Sequence, residues 1–261
     1  MPVRVLVGIP THKGDIATSI LTSLLEGGSQ GGMCINYQVS GMSLLANNFN
    51  RIFCNAWNGN HDFLIMLHSD IGVQLPGYEG SWLDVLVRRT LELKAAALSC
   101  VVAIKTFDGL TSLAIQEDPI NPYSFRRIAV RELARMPERF ISRLDICETL
   151  KLDPAKTGPM LINTGVLCIN LRQFPWAKDR FPGFQIHDII EWNTKDVPQF
   201  YVIPEDWDFS RWMDGLGYPY YAIKDLIIEH HGGWGFVNRG LWGYNNDPHP
   251  RQILPEEYRK T

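Results

Sequence analysis

The chain has 261 residues, with 25 Lys and Arg against 28 Asp and Glu, for a formal net charge of −3. A hydrophobic fraction of 45% and a charged fraction of 20% are those of a folded globular protein and exclude a disordered, collagenous or coiled-coil chain. The mildly acidic balance supplies no long-range field to gather nucleic acid, although a local basic patch stays open.

Residues 3–9 form a Val- and Ile-rich run, the pattern of a buried parallel strand. After a loop over 10–15, Ile16, Ile20, Leu21, Leu24 and Leu25 recur at helical spacing, and Gly27 follows as a stop. Residues 34–39 read as a second strand. A helix from about Ser43 carries Leu44, Leu45, Phe49, Ile52, Phe53 and Ala56 on a broad face. The wholly apolar segment 63–67 is a third strand, 82–97 a long helix and 99–104 a fourth strand. Such repeated β-α-β units imply a parallel sheet with right-handed crossovers and helices on both faces.

The second half is less regular. Residues 105–116 suit a hairpin around Asp108-Gly109, and 125–150 carries helical segments broken at Pro137. Strands are expected at 160–170, 200–203, 218–223 and 226–229, with a short helix over 207–216. The Gly-, Trp-, Asn- and Pro-rich stretch 230–249 reads as an ordered functional loop. With no low-complexity linker and no internal repeat, a single α/β domain over 1–261 is expected. Its sheet is Rossmann-like and mostly parallel, with a more irregular second half.

No uninterrupted apolar stretch reaches the roughly 18 residues of a membrane span. The apolar run after Met1 is shorter than a secretory leader needs. Five scattered cysteines, Cys34, Cys54, Cys100, Cys147 and Cys168, have no close pairing and suit a reducing compartment. A cytoplasmic location is the expectation; the oligomeric state is left open.

Gly27-Gly28-Ser29-Gln30-Gly31 fits the G-x-S-x-G pattern of serine hydrolases. That motif needs a strand before it and a helix after it, and here the order is reversed. There is no Walker A sequence and no G-x-G-x-x-G after the first strand, which argues against a P-loop NTPase and an ordinary dinucleotide dehydrogenase.

The chemistry concentrates where apolar runs end. The third strand runs straight into His68-Ser69-Asp70, and open α/β sheets bind ligands at such carboxyl ends. Asp70 offers hard oxygens and His68 an imidazole, a mixture suited to manganese or zinc more than to calcium. Later, Leu226-Ile227-Ile228 leads into Glu229-His230-His231-Gly232-Gly233-Trp234, again an apolar run ending in metal-competent groups. A third feature is Pro204-Glu205-Asp206-Trp207-Asp208. Adjacent carboxylates there either cap a helix or raise one another's pKa, which would make a general base. Trp207, Trp212, Trp234, Phe236 and Trp242 offer faces on which sugars or bases stack. Arg126, Arg127, Arg131 and Arg135 read as a solvated helix surface.

Taken in order, these motifs resemble the metal-dependent nucleotide-sugar glycosyltransferases of the A-type fold, over most of the chain. Val7-Gly8-Ile9-Pro10-Thr11 looks like their opening strand and nucleotide loop, and the helix with Asn47 and Asn48 resembles the segment after their second strand. His68-Ser69-Asp70 stands at the family's Asp-x-Asp motif, with His68 replacing the first carboxylate.

The resemblance divides the chain into a nucleotide-sugar-binding lobe over about 1–105 and an acceptor-side lobe over about 106–261. It implies a donor pocket of Pro10, Thr11, Asn47, Asn48, Ser69 and Asp70. It implies a divalent ion, manganese first and magnesium second, on Asp70, His68 and His230 or His231. Glu205 and Asp206 would serve catalysis, Asp206 first, and Asn163, Thr164, Gly165 and Trp234 would line the sugar and acceptor site. The substrates would be a nucleotide-diphosphate sugar and an unidentified hydroxyl acceptor, a nucleic acid included. Two alternatives stand beside this reading: a nucleotidyltransferase that makes sugar nucleotides, and a noncatalytic sugar- or nucleotide-binding protein.

Overall fold

The computed structural model describes residues 2–12, 15–26, 32–75, 81–192, 194–232 and 235–240. In chain order the first half holds β1 (Arg4–Thr11), α1 (Thr18–Glu26), β2 (Cys34–Gly41), α2 (Leu45–Asn58), β3 (Phe63–Leu67), β4 (Ile71–Gln74), α3 (Trp82–Glu92) and β5 (Ala97–Cys100). There follow β6 (Leu110–Gln116), β7 (Phe125–Ala129), α4 (Val130–Leu133), α5 (Arg143–Leu150), β8 (Met160–Leu161) and β9 (Val166–Asn170). The last elements are β10 (His187–Trp192), β11 (Pro198–Ile203), α6 (Glu205–Gly215), β12 (Tyr220–Ile223), β13 (Ile227–His231) and β14 (Gly235–Val237). The Gly27–Gly31 motif lies outside the described residues, as do Gly233, Trp234 and Trp242.

A six-stranded sheet in the order β12-β5-β9-β3-β1-β2 forms the centre. The β2, β3 and β12 pairings with their neighbours β1, β1 and β5 are parallel. Only β9, wedged between β3 and β5, runs antiparallel, so the sheet is mixed, with a parallel majority. Alternation along the strands decides what each face buries. Leu6, Leu64 and Met66 join Phe49, Ile52 and Ala56 of α2 in one core. Val5, Val7, Ile9, Phe63, Ile65 and Leu67 join Ile20 of α1 and Trp82, Leu83, Val85 and Leu86 of α3 in the other. Helices therefore cover both faces. The contact of α2 with β1 requires Gly8, because a Cβ there would lie 2.2 Å from the Ile52 side chain.

Three smaller assemblies surround this centre. The β14-β13-β4 sheet ties the late chain to the segment after β3, with His230 paired opposite Ile71. The β7-β6-β8 sheet follows the expected hairpin: Ala103 bridges Thr111, and Gly109 turns the chain at φ 71°. The β10-β11 hairpin stands apart and exposes Ile190, Trp192 and Phe200.

Three expectations need correction here. Residues 125–129 are strand, not helix, because they pair with β6; the Arg126 and Arg127 side chains leave a strand rather than a helix surface. The segment 71–74, where no strand was expected, is β4 because β13 pairs with it. The segment 160–170 is two strands separated by a turn at 162–165. Among the described residues, no helix is long and apolar enough to cross a membrane.

Candidate functional site

The carboxyl ends of β1, β2, β3, β5 and β12 share one edge of the central sheet, since these five strands run parallel. Asp70 rises from that edge three residues beyond β3. Its Oδ2 atom receives the Lys105 ammonium and faces His230 Nε2 at 3.5 Å. Burial alone would raise the Asp70 pKa. The hydrogen bonds and charges of His230 and Lys105 outweigh it and hold the carboxyl well below its ordinary range. The His230 ring is fixed from behind, donating from Nδ1 to the Ala103 carbonyl at 2.8 Å.

The neighbouring histidines face elsewhere. His68 stacks on Phe49 with ring centroids 5.4 Å apart, and its Nε2 lies 3.4 Å from Thr164 Oγ1. Burial pushes its pKa down to about 4, against the pull of Asp70, so the imidazole is neutral at pH 7. His231 falls on the other face of β13, as strand alternation requires, with Nδ1 3.7 Å from Glu229 Oε1. It is the His231 backbone N–H, not its ring, that reaches the Asp70 carbonyl, at 2.8 Å.

The expected ligands of a divalent ion are thus only partly gathered. Asp70 and His230 meet, while His68 and His231 turn away. Among the described residues, no group of three or more His, Cys, Asp or Glu side chains is disposed to hold a metal. One of the two Asp70 carboxylate oxygens, Oδ2, is already engaged by Lys105. Among the described residues, the donor set does not fit a resident divalent ion.

The expected donor pocket is likewise divided between frame and surface. Asn48 is fully buried: its Oδ1 accepts from Ser40 Oγ at 2.9 Å, and its Nδ2 donates to the Thr11 and Met42 carbonyls at 3.2 and 3.3 Å. One side chain therefore ties the ends of β1 and β2 to the start of α2. Thr11 is buried and donates its hydroxyl to the Asp15 carbonyl at 3.0 Å, and Pro10 is buried beside it. These residues build the floor of the edge. Asn47 is exposed in the first turn of α2, and Ser69 is half-buried beside Asp70.

A similar division holds among the residues expected on the acceptor side. Asn163 bonds inward, donating to the Cys100 carbonyl at 2.8 Å and accepting from the Gly165 N–H at 2.8 Å. Gly165 lies under Ile71, whose Cδ1 would be 2.7 Å from a Cβ. Asn163 and Gly165 thus shape the turn before β9. Thr164 is buried against His68.

Asp206 lies in the first turn of α6 and is anchored through Ser210, whose hydroxyl donates to the Asp206 carbonyl at 2.8 Å and accepts from the Ile162 N–H at 3.0 Å. Burial, and then the adjacent Glu205 charge, push the Asp206 carboxyl up to about 7. The Trp207 N–H and the Arg127 guanidinium act in the opposite direction. Arg127 lies over the Trp207 ring at 4.8 Å and donates to the Thr111 carbonyl at 3.3 Å. Glu205 is buried, and burial raises its pKa also. Capping does not account for Asp206: the N-cap is Pro204, and Asp206 Oδ1 accepts from its immediate neighbour Trp207 N–H at 2.8 Å, whereas an N-cap side chain would reach two or three residues on.

Thr111 is the physical link between the two acidic centres. It bridges Ala103, which holds His230, and its carbonyl receives Arg127, which faces Asp206. The expected stacking residues are less available. Trp207 and Phe236 are buried, and Trp212 packs among Trp176, Phe181 and Tyr218.

Lys105 and Arg127 are side chains at these two centres that motif reading did not single out. For Lys105 the signal is present: the run Val101-Val102-Ala103-Ile104 ends in it, the same rule that singled out Asp70.

No protein-family model matches the chain, and no curated protein matches it. Among solved structures, it is similar to one titled "Crystal Structure of A197 from STIV", at 15% identity and a TM-score of 0.55. The match covers 97% of this chain and 100% of that one. At that identity the likeness is one of fold, an α/β architecture with a mixed, Rossmann-like sheet.

Proposed function

We propose that this protein is a glycosyltransferase that takes a nucleotide-diphosphate sugar at the Asp70 edge and passes the sugar to an acceptor hydroxyl. The observation that carries this reading is the meeting of Asp70, Lys105 and His230, drawn from three segments far apart in sequence, at the sheet edge where open α/β folds bind ligands. In the proposed arrangement a single domain over 1–261 divides its labour. The lobe over about 1–105 receives the nucleotide at Asn47 and Ser69, above the floor made by Pro10, Thr11 and Asn48. The acceptor lobe over about 106–261 supplies Asp206.

The reaction needs little from the protein beyond charge and position. The acceptor oxygen bonds to the anomeric carbon as the bond from that carbon to the diphosphate oxygen breaks, and the electron pair stays on the diphosphate. The acceptor's proton passes to Asp206, whose pKa near 7 suits a general base. Oxocarbenium-like charge builds in between, as in glycoside hydrolysis. Displacement of this kind inverts the anomer. Buried Glu205 acts on the base through its charge. The five cysteines, all free thiols with Cys34 and Cys54 exposed, favour a reducing, cytoplasmic setting.

The test is incubation with UDP- and GDP-sugars, followed by chromatography. Slow release of free nucleoside diphosphate and sugar is the expected result. Release of pyrophosphate from a nucleoside triphosphate and a sugar phosphate would make the protein a nucleotidyltransferase. Binding without any turnover would make it a noncatalytic sugar-nucleotide receptor.

A further inference from the structure

The cation of this site is built into the chain. We propose that the Lys105 ammonium, held by Asp70, occupies the position expected for a divalent ion and itself binds the donor diphosphate. The inference rests on the nucleotide-sugar reading above and specifies which group in that site meets the phosphates.

The argument starts from the donor set. A hard divalent ion wants several oxygen ligands in defined geometry, and among the described residues the ligands that meet here are one carboxylate, Asp70, and one imidazole, His230. Its Oδ2 atom is shared between Lys105 Nζ and the His230 Nε2 face. His68, in the position of the missing carboxylate, is stacked on Phe49, and His231 lies on the opposite face of β13. An ion would share Asp70 with the ammonium, and among the described residues no third His, Cys, Asp or Glu ligand joins Asp70 and His230.

Lys105 is placed to act in the ion's stead. It sits two residues beyond Ala103, in the ascending arm of the hairpin that closes through Ala103–Thr111 and the Ile104 N–H to Leu110 carbonyl bond at 3.0 Å. That short segment supplies both the ammonium and the carbonyl that aims His230 at Asp70. The Lys105 and Asp70 side chains are 36% and 38% exposed, so an anion can approach the pair from solvent. An ammonium has three donors: one can stay on Asp70 while the others take phosphate oxygens, the use of lysine as a point charge in phosphate sites. A half-exposed pair is weak enough to share its cation in this way. Asp70 becomes a positioning residue for Lys105 rather than a metal ligand. At bond cleavage the ammonium stabilises the charge gathering on the departing diphosphate oxygen and gives up no proton.

The experiment is calorimetric titration of the full chain with UDP and GDP, in EDTA and in manganese. The wild-type affinity is expected to agree within about twofold between the two media. Lys105→Met should weaken it roughly ten- to a hundredfold, the worth of a hydrogen bond to a charged group, with the melting temperature unchanged. Lys105→Arg should restore most of it. Diphosphate binding that requires manganese and vanishes in EDTA overturns the Lys105 proposal and leaves the nucleotide-sugar reading standing. An unweakened Lys105→Met variant also overturns it. Failure of both nucleotides to bind in either medium removes the nucleotide-sugar reading and this proposal with it.

Discussion

Asp70 and Asp206 are the same side chain in opposite surroundings. Asp70 stands at the open edge of the sheet, where Lys105 and His230 overcome burial and hold it ionised. Asp206 is tucked under the start of α6 beside another carboxylate, where burial and Glu205 carry it up to about 7. Pairs of carboxyls driven apart in this way take different roles. The first is a fixed charge that orients cations. The second can accept a proton at neutral pH. The difference has a plain cause: the cations lie at one carboxylate and the desolvation at the other; in the proposed reaction the first would face the charged donor and the second would serve as base.

The sharpest way to break the comparison is to remove the base. Asp206→Asn should lower turnover by about a hundredfold or more, the usual scale for a general base, while nucleotide affinity stays within about twofold. Steady-state kinetics paired with calorimetry separates the two quantities. Near-normal transfer by the variant would leave Asp206 with a purely structural place at the head of α6. The same role predicts that turnover in the wild type rises with pH through about 7 and then levels, as the carboxyl loses its proton. A flat profile across that range would count equally against it.

Asp70 should show the other pattern. Asp70→Ala releases Lys105 and His230 from their common oxygen, so diphosphate affinity is expected to fall about tenfold, in line with the loss of a charge-assisted hydrogen bond. The pH profile of turnover should keep its shape, because Asp206 is untouched. A displaced midpoint in this variant would mean that the two carboxylates titrate as one unit.

The two centres also differ in how far the sequence exposes them. Asp70 was legible because β3 is apolar throughout and its end is marked by the first ionisable side chains. Its partners were less so. His230 could be singled out from strand alternation, but its meeting with Asp70 depends on β4 pairing with β13, a long-range event that no local pattern encodes. Lys105 escaped notice because a search for metal ligands looks for carboxylates and imidazoles, not for a cation already in the chain. Asn48 and Asn163 entered the expected site through the resemblance. Both donate to carbonyls at strand ends in the interior, and sequence alone does not separate an inward amide from an outward one. The helix expected over 125–129 failed for a related reason: Arg126 and Arg127 look solvated until β6 claims their backbone and Trp207 lies under Arg127. The β10 strand lacked a buried face to betray it, since Ile190 and Trp192 are exposed.

The smallest expected effect is on stability, and it tests the surroundings of Asp206 without any substrate. The carboxyl has an ordinary pKa of 3.8 and is carried up to about 7 in the folded chain. The folded state therefore binds the proton more tightly than the unfolded state. By linkage, the stability from this group is fully present below about pH 3.8 and is lost progressively as pH rises to about 7. Above pH 7 the folded protein carries an ionised carboxylate in a site that disfavours charge. Asp206→Asn removes that charge with little change of shape, so at pH 8 it should stabilise the fold. A shift of this size corresponds to a few kcal/mol at most. Water reaching the half-buried carboxyl reduces it, and a gain of about 1–2 kcal/mol, or a few degrees in melting temperature, is expected for a chain of this length. Toward pH 5 the wild-type carboxyl is itself neutral when folded, so the advantage should shrink. Melting curves of both proteins at pH 5 and pH 8 measure the difference directly. A variant less stable than the wild type at pH 8 would mean that the Asp206 charge is welcomed by Arg127 and the α6 N-terminus, and the contrast with Asp70 would then be one of position alone.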